Sequence, residues 1–413
     1  MAGTQHTEDA QRVRIDRAVD GPWDSVVRVF RENIRNSVMF IALIIVIAFF
    51  AIWSGGTFID SFNLTNLVAQ TAVVGIMACG MTLVIIIRHI DLSVGYMCGF
   101  LGAITGILLQ RHNMSSGLSI LLVMALGACI GFIIGFLVGK VGMPAFVVTL
   151  GAMIAAHGLE LNTTSASGAI TITNQFFNAL GTGYIPAVFT VGSFKGSTLV
   201  IGIAGIALFI FFQFTGRARQ HRNSFTVDPV WWFAIKMVVV CGIAAFLTYQ
   251  FASLNGISWA LVILAGVVFI IATLQNHTRF GRHVYGIGGN PEAAELSGVN
   301  VARVTIIVFV IMGVLTALGG ILLTSWMKAT DTAAGTGFEL LVIAGCFIGG
   351  CSPAGGIGRV TGSLIGALIM QSLVNGLSLQ GVNISYQYMI QGAILVLAVL
   401  FDILSRRVSA AKL

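Results

Sequence analysis

Charged residues are scarce in this sequence. Only 9% of its 413 residues are Asp, Glu, Lys or Arg, and only 15 are acidic. A soluble domain carries about 25% charged residues, because water must solvate its surface. With 57% hydrophobic residues and a mean hydropathy of +0.95, the composition excludes a soluble enzyme, a disordered protein and a nucleic-acid binder. It predicts an integral membrane protein.

The sequence also lacks the signatures of several kinds of site. It contains no G-x-x-x-x-G-K-[ST] loop for nucleotide phosphates, no H-E-x-x-H zinc motif and no C-x-x-C pair. We therefore expect no catalytic residue, no metal and no cofactor bound by this chain. The six cysteines are interpreted as reduced and buried. Uphill movement of a solute must then draw its energy from an ion gradient or from a partner.

Apolar runs recur along the chain, and a spanning helix needs roughly 20 mostly apolar residues. We predict an all-α, polytopic transmembrane helical bundle over 36–407, with roughly 10–12 spans because the short run at 338–350 is a candidate re-entrant helix. A tail follows over 408–413. The runs lie at 36–55, 64–87, 92–110, 118–138, 144–161, 198–214, 230–254, 257–274, 304–327, 338–350, 360–378 and 386–404.

The basic residues between these runs predict the orientation of the chain, because cytoplasmic loops are enriched in Lys and Arg. If the N-terminus is inside, only Arg111, Lys195 and Lys328 fall in outer connections. We therefore predict that both termini are cytoplasmic. Residues 1–35 form a polar cytoplasmic tail, which lacks the apolar core of a cleaved signal peptide.

The long inner connection 275–303 has helical potential. Asn290 is suited to cap a short helix that has Pro291 at its first position. Glu292 then lies in the first turn, where a carboxylate suits the helix dipole, and Gly298 is expected to stop the helix. The alternatives are a helix presented to a soluble partner and an ordinary basic loop.

A second stretch, residues 88–95, lies between two apolar runs. We expect Asp91 to cap the following helix and to pair with Arg88. This stretch is either a broken-helix element near a transport path or a capped turn at the inner interface.

A third stretch, residues 349–366, is dense in glycine around a proline, with Gly355 and Gly356 at its centre. Irregular backbone at membrane depth is tolerated only where protein covers it. The stretch is either such a covered break or a turn between two spans.

Ionisable residues inside the apolar runs are few. Asp91, Glu160, Glu339 and Asp402 are the acids in or near them. We expect Glu160 and Glu339 near outer ends and Asp402 at the inner interface. Ion-coupled transporters usually keep charged residues within their spans for function. The sequence therefore offers little for a proton or sodium relay.

Together the three stretches resemble the permease subunit of bacterial ABC monosaccharide importers of the ribose/xylose/galactose type. The family pattern is I-D-L-S-V-G at 90–95, G-R-x-x-Y-A-I-G-G-N-x-E-A-A-x-x-S-G-I at 281–299, and G-G-x-S-x-A-G-G-x-G-x-x-x-G-x-x-x-G-A at 349–367. The resemblance covers most of 38–407, and length places it nearest the xylose branch. Departures occur at Arg88-His89, at Gly286, at Val299 and in the outer region after His157-Gly158.

The resemblance implies a fold, partners and roles. Two permease copies would form the pore in the bacterial cytoplasmic membrane, in contact with lipid. A fused double ATP-binding subunit, which holds ATP and Mg, would dock on Glu292, Ala293, Ala294 and Gly298. An extracytoplasmic binding protein would deliver the sugar. Asp91, Ser93, Gly95, Gly355 and Gly356 carry over as a structural or translocation-path motif.

Amide side chains within the apolar runs are candidate sugar contacts, because an amide both donates and accepts hydrogen bonds. The candidates are Asn66, Gln70, Gln371 and Asn375. The alternative is that these amides bond neighbouring helices. The functional alternatives are a permease of the same family for a nucleoside, an autoinducer or a branched-chain amino acid, and an ion-coupled secondary transporter.

Overall fold

The computed structural model describes residues 39–165, 169–222 and 230–410, so the predicted tail 1–35 and residues 411–413 lie outside the described part. The α-helices are α1 (Met39–Trp53), α2 (Ser61–Ile86), α3 (Val94–Gln110), α4 (Ser116–Gly139), α5 (Ala145–Ser165), α6 (Gln175–Thr182), α7 (Gly196–Arg222), α8 (Val230–Ser253), α9 (Trp259–His277), α10 (Arg279–Gly289), α11 (Pro291–Leu296), α12 (Val301–Met327), α13 (Phe338–Ile348), α14 (Val360–Leu379) and α15 (Ile384–Ala410).

Eight of the described helices are long and apolar enough to cross a membrane, and α1, α3, α13 and part of α15 are shorter apolar helices. The prediction of an all-α, polytopic helical membrane protein is confirmed. The short run predicted at 338–350 is the 11-residue helix α13. A helix of that length extends about 16 Å, which is about half of a bilayer core.

Helix α2 forms the centre of the bundle, and 94% of its span is buried. Its neighbours include α9, α12, α13 and α14. Helices α7 and α8 lie at the periphery with none of their spans buried. Helix α4 packs closely on α12 because glycines at every fourth position leave room for the α12 backbone. These glycines are Gly127, Gly131, Gly135 and Gly139.

The two ends of the bundle differ. At one end, called here the motif end, α2 ends at Ile86 beside α10 and the connection 349–359. The opposite end carries α6 and a small antiparallel hairpin of β1 (Thr190–Val191) and β2 (Phe194–Lys195). Both elements are too short to give a periodic signal in the sequence.

Candidate functional site

The three stretches singled out in the sequence meet at the motif end. The Gly356 amide donates to the carbonyl of Ile86 over 2.9 Å. The Arg88 guanidinium donates from Nε to the Gly288 carbonyl at 2.8 Å and from Nη2 to the Gly289 carbonyl at 2.5 Å. The end of α2, the end of α10 and the connection 349–359 therefore contact one another through backbone carbonyls and amides. The first two are about 200 residues apart in the chain and the last two about 70.

Glycine makes this approach possible. A Cβ at Gly288 would overlap the Ile86 carbonyl oxygen and lie 2.5 Å from the Gly356 nitrogen. A Cβ at Gly355 would overlap Cγ of Arg88, and Gly355 has a φ of +82°. The predicted motif residues Gly355 and Gly356 therefore let this connection approach Arg88 and the backbone of α10. The stretch is a turn between α13 and α14 in which Pro353, Ala354, Ile357 and Arg359 are exposed.

Two side chains that we did not single out complete this contact. The Tyr285 hydroxyl donates to the Gly358 carbonyl at 2.6 Å, and burial raises the pKa of Tyr285, which keeps its proton in place. Gln275 is 2% exposed. Its amide oxygen accepts from the Val360 nitrogen at 3.1 Å and its amide nitrogen donates to Gly358 at 3.4 Å. The only sequence signal for Gln275 is a lone amide near the end of an apolar run.

Helix α11 forms as the sequence predicted. Asn290 caps it by accepting from the Ala293 nitrogen at 3.1 Å, and Pro291 occupies the first turn. The helix ends at Leu296, and Gly298 adopts a φ of +86°, a conformation that glycine tolerates best.

Helix α11 has one buried and one exposed side. Ala294 faces the bundle and is 8% exposed, whereas Glu292 and Ala293 are exposed. Leu296 is 90% exposed, and no sequence motif pointed to it. A large apolar side chain is thus displayed on a short helix outside the spans.

Asp91 acts differently from our expectation. Its Oδ1 accepts from the Ser93 nitrogen at 2.9 Å and from the Ser93 hydroxyl at 2.6 Å. Helix α3 begins at Val94 with Ser93 at its N-cap position. The predicted cap by Asp91 is therefore wrong by two positions. The predicted pairing with Arg88 is also wrong, because the carbonyls of Gly288 and Gly289 take the guanidinium.

Two acidic side chains, Glu339 of α13 and Glu160 of α5, pack against α3. A Cβ at Gly95 would overlap Oε2 of Glu339, and a Cβ at Gly99 would overlap Oε1 of Glu160. Glu160 is fully buried. Within the described part of the chain, neither of its carboxylate oxygens nor Oε2 of Glu339 has a hydrogen-bond partner. As expected, both acids lie near the helix ends that point away from the motif end, and there they are enclosed against α3.

The amide candidates divide into two groups. Gln70 on α2 accepts from Gln371 at 3.1 Å and from Asn375 at 3.3 Å, both on α14. Asn63, which we did not select, donates to Asn375 at 2.9 Å. Asn66 lies apart and lines a cavity of about 40 Å³. The structure therefore brings together three of the predicted amides and adds Asn63.

Comparison with known proteins identifies the family. Residues 63–399 match the family described as branched-chain amino acid transport system / permease component. The chain belongs to this permease family. No solved structure shows a significant match. The predicted resemblance is thus confirmed over most of the chain.

Curated relatives are similar over nearly their whole length. The chain is 36% identical to the xylose transport system permease protein XylH of Escherichia coli (strain K12), covering 91% of this chain and 93% of that protein. It is 33% identical to the ribose import permease protein RbsC of the same strain, over 88% and 92%. It is 31% identical to the galactose/methyl galactoside import permease protein MglC of Haemophilus influenzae, over 89% and 94%.

Family membership decides several general properties. The homologues are multi-pass permease subunits of the inner membrane, and in ABC transporters the ATPase activity resides in a separate subunit. Membership also implies association with an ATP-binding subunit and a periplasmic sugar-binding protein. The permease is therefore a transport subunit rather than an enzyme.

Proposed function

We propose that this permease translocates a monosaccharide, a xylose-like pentose or a hexose, into the cytoplasm with energy from a partner ATPase. The observation that carries the proposal is the similarity to xylose, ribose and galactose permeases over about nine-tenths of the chain. The chain itself binds no cofactor, and ATP and Mg belong to the partner. The scarcity of charge within the spans fits an uncharged solute.

The motif end is the cytoplasmic end. Its connections and helix ends carry many of the basic residues, and cytoplasmic loops are enriched in such residues. Arg111, Lys195 and Lys328 are at the opposite end. Both termini are then cytoplasmic, and the described part of the chain has 12 apolar helices, of which α13 spans only part of the bilayer.

Helix α11 is the docking element for a fused double ATP-binding subunit. Its buried Ala294 anchors it on the bundle, and its exposed Glu292, Ala293 and Leu296 face outward. Gly298 ends the helix and directs the chain back toward α12. Two permease copies surround the translocation path, and ATP-driven closure of the fused ATP-binding subunit moves the two α11 helices.

The amide cluster of Asn63, Gln70, Gln371 and Asn375 is a sugar-contacting surface in the half of the bundle away from the motif end. Amides donate to and accept from sugar hydroxyls. We expect Gln70→Leu and Gln371→Leu each to lower sugar uptake about fivefold to tenfold, the effect of one lost hydrogen bond. Uptake into proteoliposomes containing the whole transporter measures this.

The matched control is Gln387→Leu, a buried amide on α15 that bonds Val382 and Ser378 instead of the cluster. It should keep uptake near the unmodified level. If the cluster variants take up sugar normally, or if they lose thermal stability in proportion to uptake, the amides bond helices and do not contact the sugar.

Reconstitution tests the proposed function as a whole. We expect uptake of radiolabelled xylose, ribose or galactose only when the permease, the ATPase and the binding protein are all present. ATP must also be supplied on the side of the membrane where the ATPase lies. Uptake by the permease alone under an ion gradient would show a secondary transporter. Uptake of a nucleoside or amino acid in place of every sugar would show a non-sugar permease of the same family.

A further inference from the structure

The break between α2 and α3, residues 87–93, carries a charged side chain in an uncommon backbone conformation. Arg88 has a φ of +67°, which a non-glycine residue rarely adopts. Such a conformation persists only where the surroundings hold it, and it clusters at functional elements. The surroundings therefore hold the backbone of the break at Arg88 in this conformation.

The Arg88 side chain holds the end of α10. Its two bonds reach the carbonyls of Gly288 and Gly289, which are the last residues of α10. The final carbonyls of a helix lack intrahelical partners and carry the negative end of the helix dipole. A guanidinium that donates from two nitrogens satisfies both carbonyls at once.

The bonded carbonyls lie next to the docking helix. Asn290 follows Gly289 directly and caps α11. A displacement of α11 by the ATPase subunit would therefore also displace Gly289, which is separated from Pro291 by one residue. The hydrogen bonds from the Arg88 guanidinium then connect Gly289 to the break.

The break continues into α3. The Asp91–Ser93 turn precedes Val94, the first residue of α3, and the Ile90 carbonyl accepts from Thr149 of α5 at 3.4 Å. In turn, α3 packs at Gly95 and Gly99 against the acids of α13 and α5. A displacement of the break would therefore act on α3 and on the helices α5 and α13 that pack against it.

We propose that Arg88 is a positioning residue that couples movement of the docking helix α11 to movement of the break 87–93 and of α3. This inference rests on the proposed function, because it assumes that an ATPase docks on α11. In this proposal Arg88 contacts neither the sugar nor ATP. Its role is to keep the docking segment and the break moving together.

The test compares sugar uptake per ATP hydrolysed in proteoliposomes that contain the full transporter. Arg88→Ala should leave the ATPase bound, since α11 and its cap are intact, and should lower the uptake per ATP about tenfold, as expected for losing charge-assisted hydrogen bonds. Arg88→Lys keeps the charge but not the two-nitrogen fork, so it should restore part of the ratio. Arg303→Ala removes an exposed positive charge at the same end and should leave the ratio unchanged.

The outcomes separate the two proposals. A normal ratio in Arg88→Ala overturns the role of Arg88 while leaving the proposed function intact. Loss of ATPase binding in Arg88→Ala also overturns it, because the residue then supports the docking surface itself. If Arg88→Ala does not fold, a normal ratio in Arg88→Lys overturns the role and a reduced one supports it. An unmodified permease that neither binds the ATPase nor imports sugar overturns the proposed function and this inference with it.

Discussion

Leu296→Asp is expected to release the ATPase subunit from a permease that remains folded. Leu296 is 90% exposed on α11, so its replacement disturbs no internal packing. In a docked complex this apolar side chain would be buried in a partner pocket, and an Asp there would be desolvated without a partner. Anchors of this kind contribute about 2–4 kcal/mol, so the dissociation constant of the ATPase should rise at least about thirtyfold.

Glu292→Lys is expected to act in the same direction. The carboxylate is exposed in the first turn of α11, and Lys would reverse the charge that this helix presents to the partner. Association of purified permease with the ATPase, measured by co-purification and by titration, checks both variants. Unfolding temperature of the permease alone should not change for either.

The control is Val188→Asp at the opposite end of the bundle. Val188 is 88% exposed, so its exposure matches that of Leu296. Val188→Asp therefore makes a comparable apolar-to-acidic change at the end of the bundle where the ATPase does not dock. Association should stay at the unmodified level. If Leu296→Asp and Glu292→Lys bind the ATPase as tightly as Val188→Asp does, the assignment of α11 as the docking element is wrong.

Gly288→Ala is expected to disrupt the motif end. The new Cβ would overlap the Ile86 carbonyl oxygen and lie 2.5 Å from the Gly356 nitrogen. Both neighbours are backbone atoms, so neither can rotate away. Overpacking typically costs about 1–3 kcal/mol, and the rigid neighbours place this site at the upper limit. The unfolding temperature of purified permease should fall, and sugar uptake should fall with it.

Gly286→Ala, two residues earlier on the same helix, is the matched control. A Cβ at Gly286 would meet no atom within 4 Å, and its backbone is helical. Alanine in a helix interior is more stable than glycine by roughly 0.5–1 kcal/mol. This variant should unfold at the same or a slightly higher temperature. Equal behaviour of the two variants would contradict the backbone contact between α10, α2 and the connection 349–359.

Local signals explain the parts of the site that the sequence analysis predicted correctly. The Asn290-Pro291 pair specifies a cap and a first turn through atoms a few residues apart, and α11 begins there. The Asp91 prediction failed by two positions because an Asp can accept from nearby amides in either a cap or a turn. Which of these forms depends on where α3 begins.

The amides show where spacing stops being informative. Asn66 and Gln70 lie one turn apart on α2, yet only Gln70 faces the amides of α14. The neighbouring helix decides which amide finds a partner. No pattern within α2 records that neighbour.

The sequence by itself determined the membrane class, the apolar helices, the short capped helix α11 and the family, because composition, hydropathy and local capping depend on residues close together in the chain. Only the tertiary structure decided that three distant stretches form one contact. The carbonyls that hold Arg88 have no residue-specific signature, since every residue has one. A glycine likewise shows that space is needed but not what fills it. At Gly288 the space is filled by Ile86 and Gly356, and only the packing of the helices brings them there.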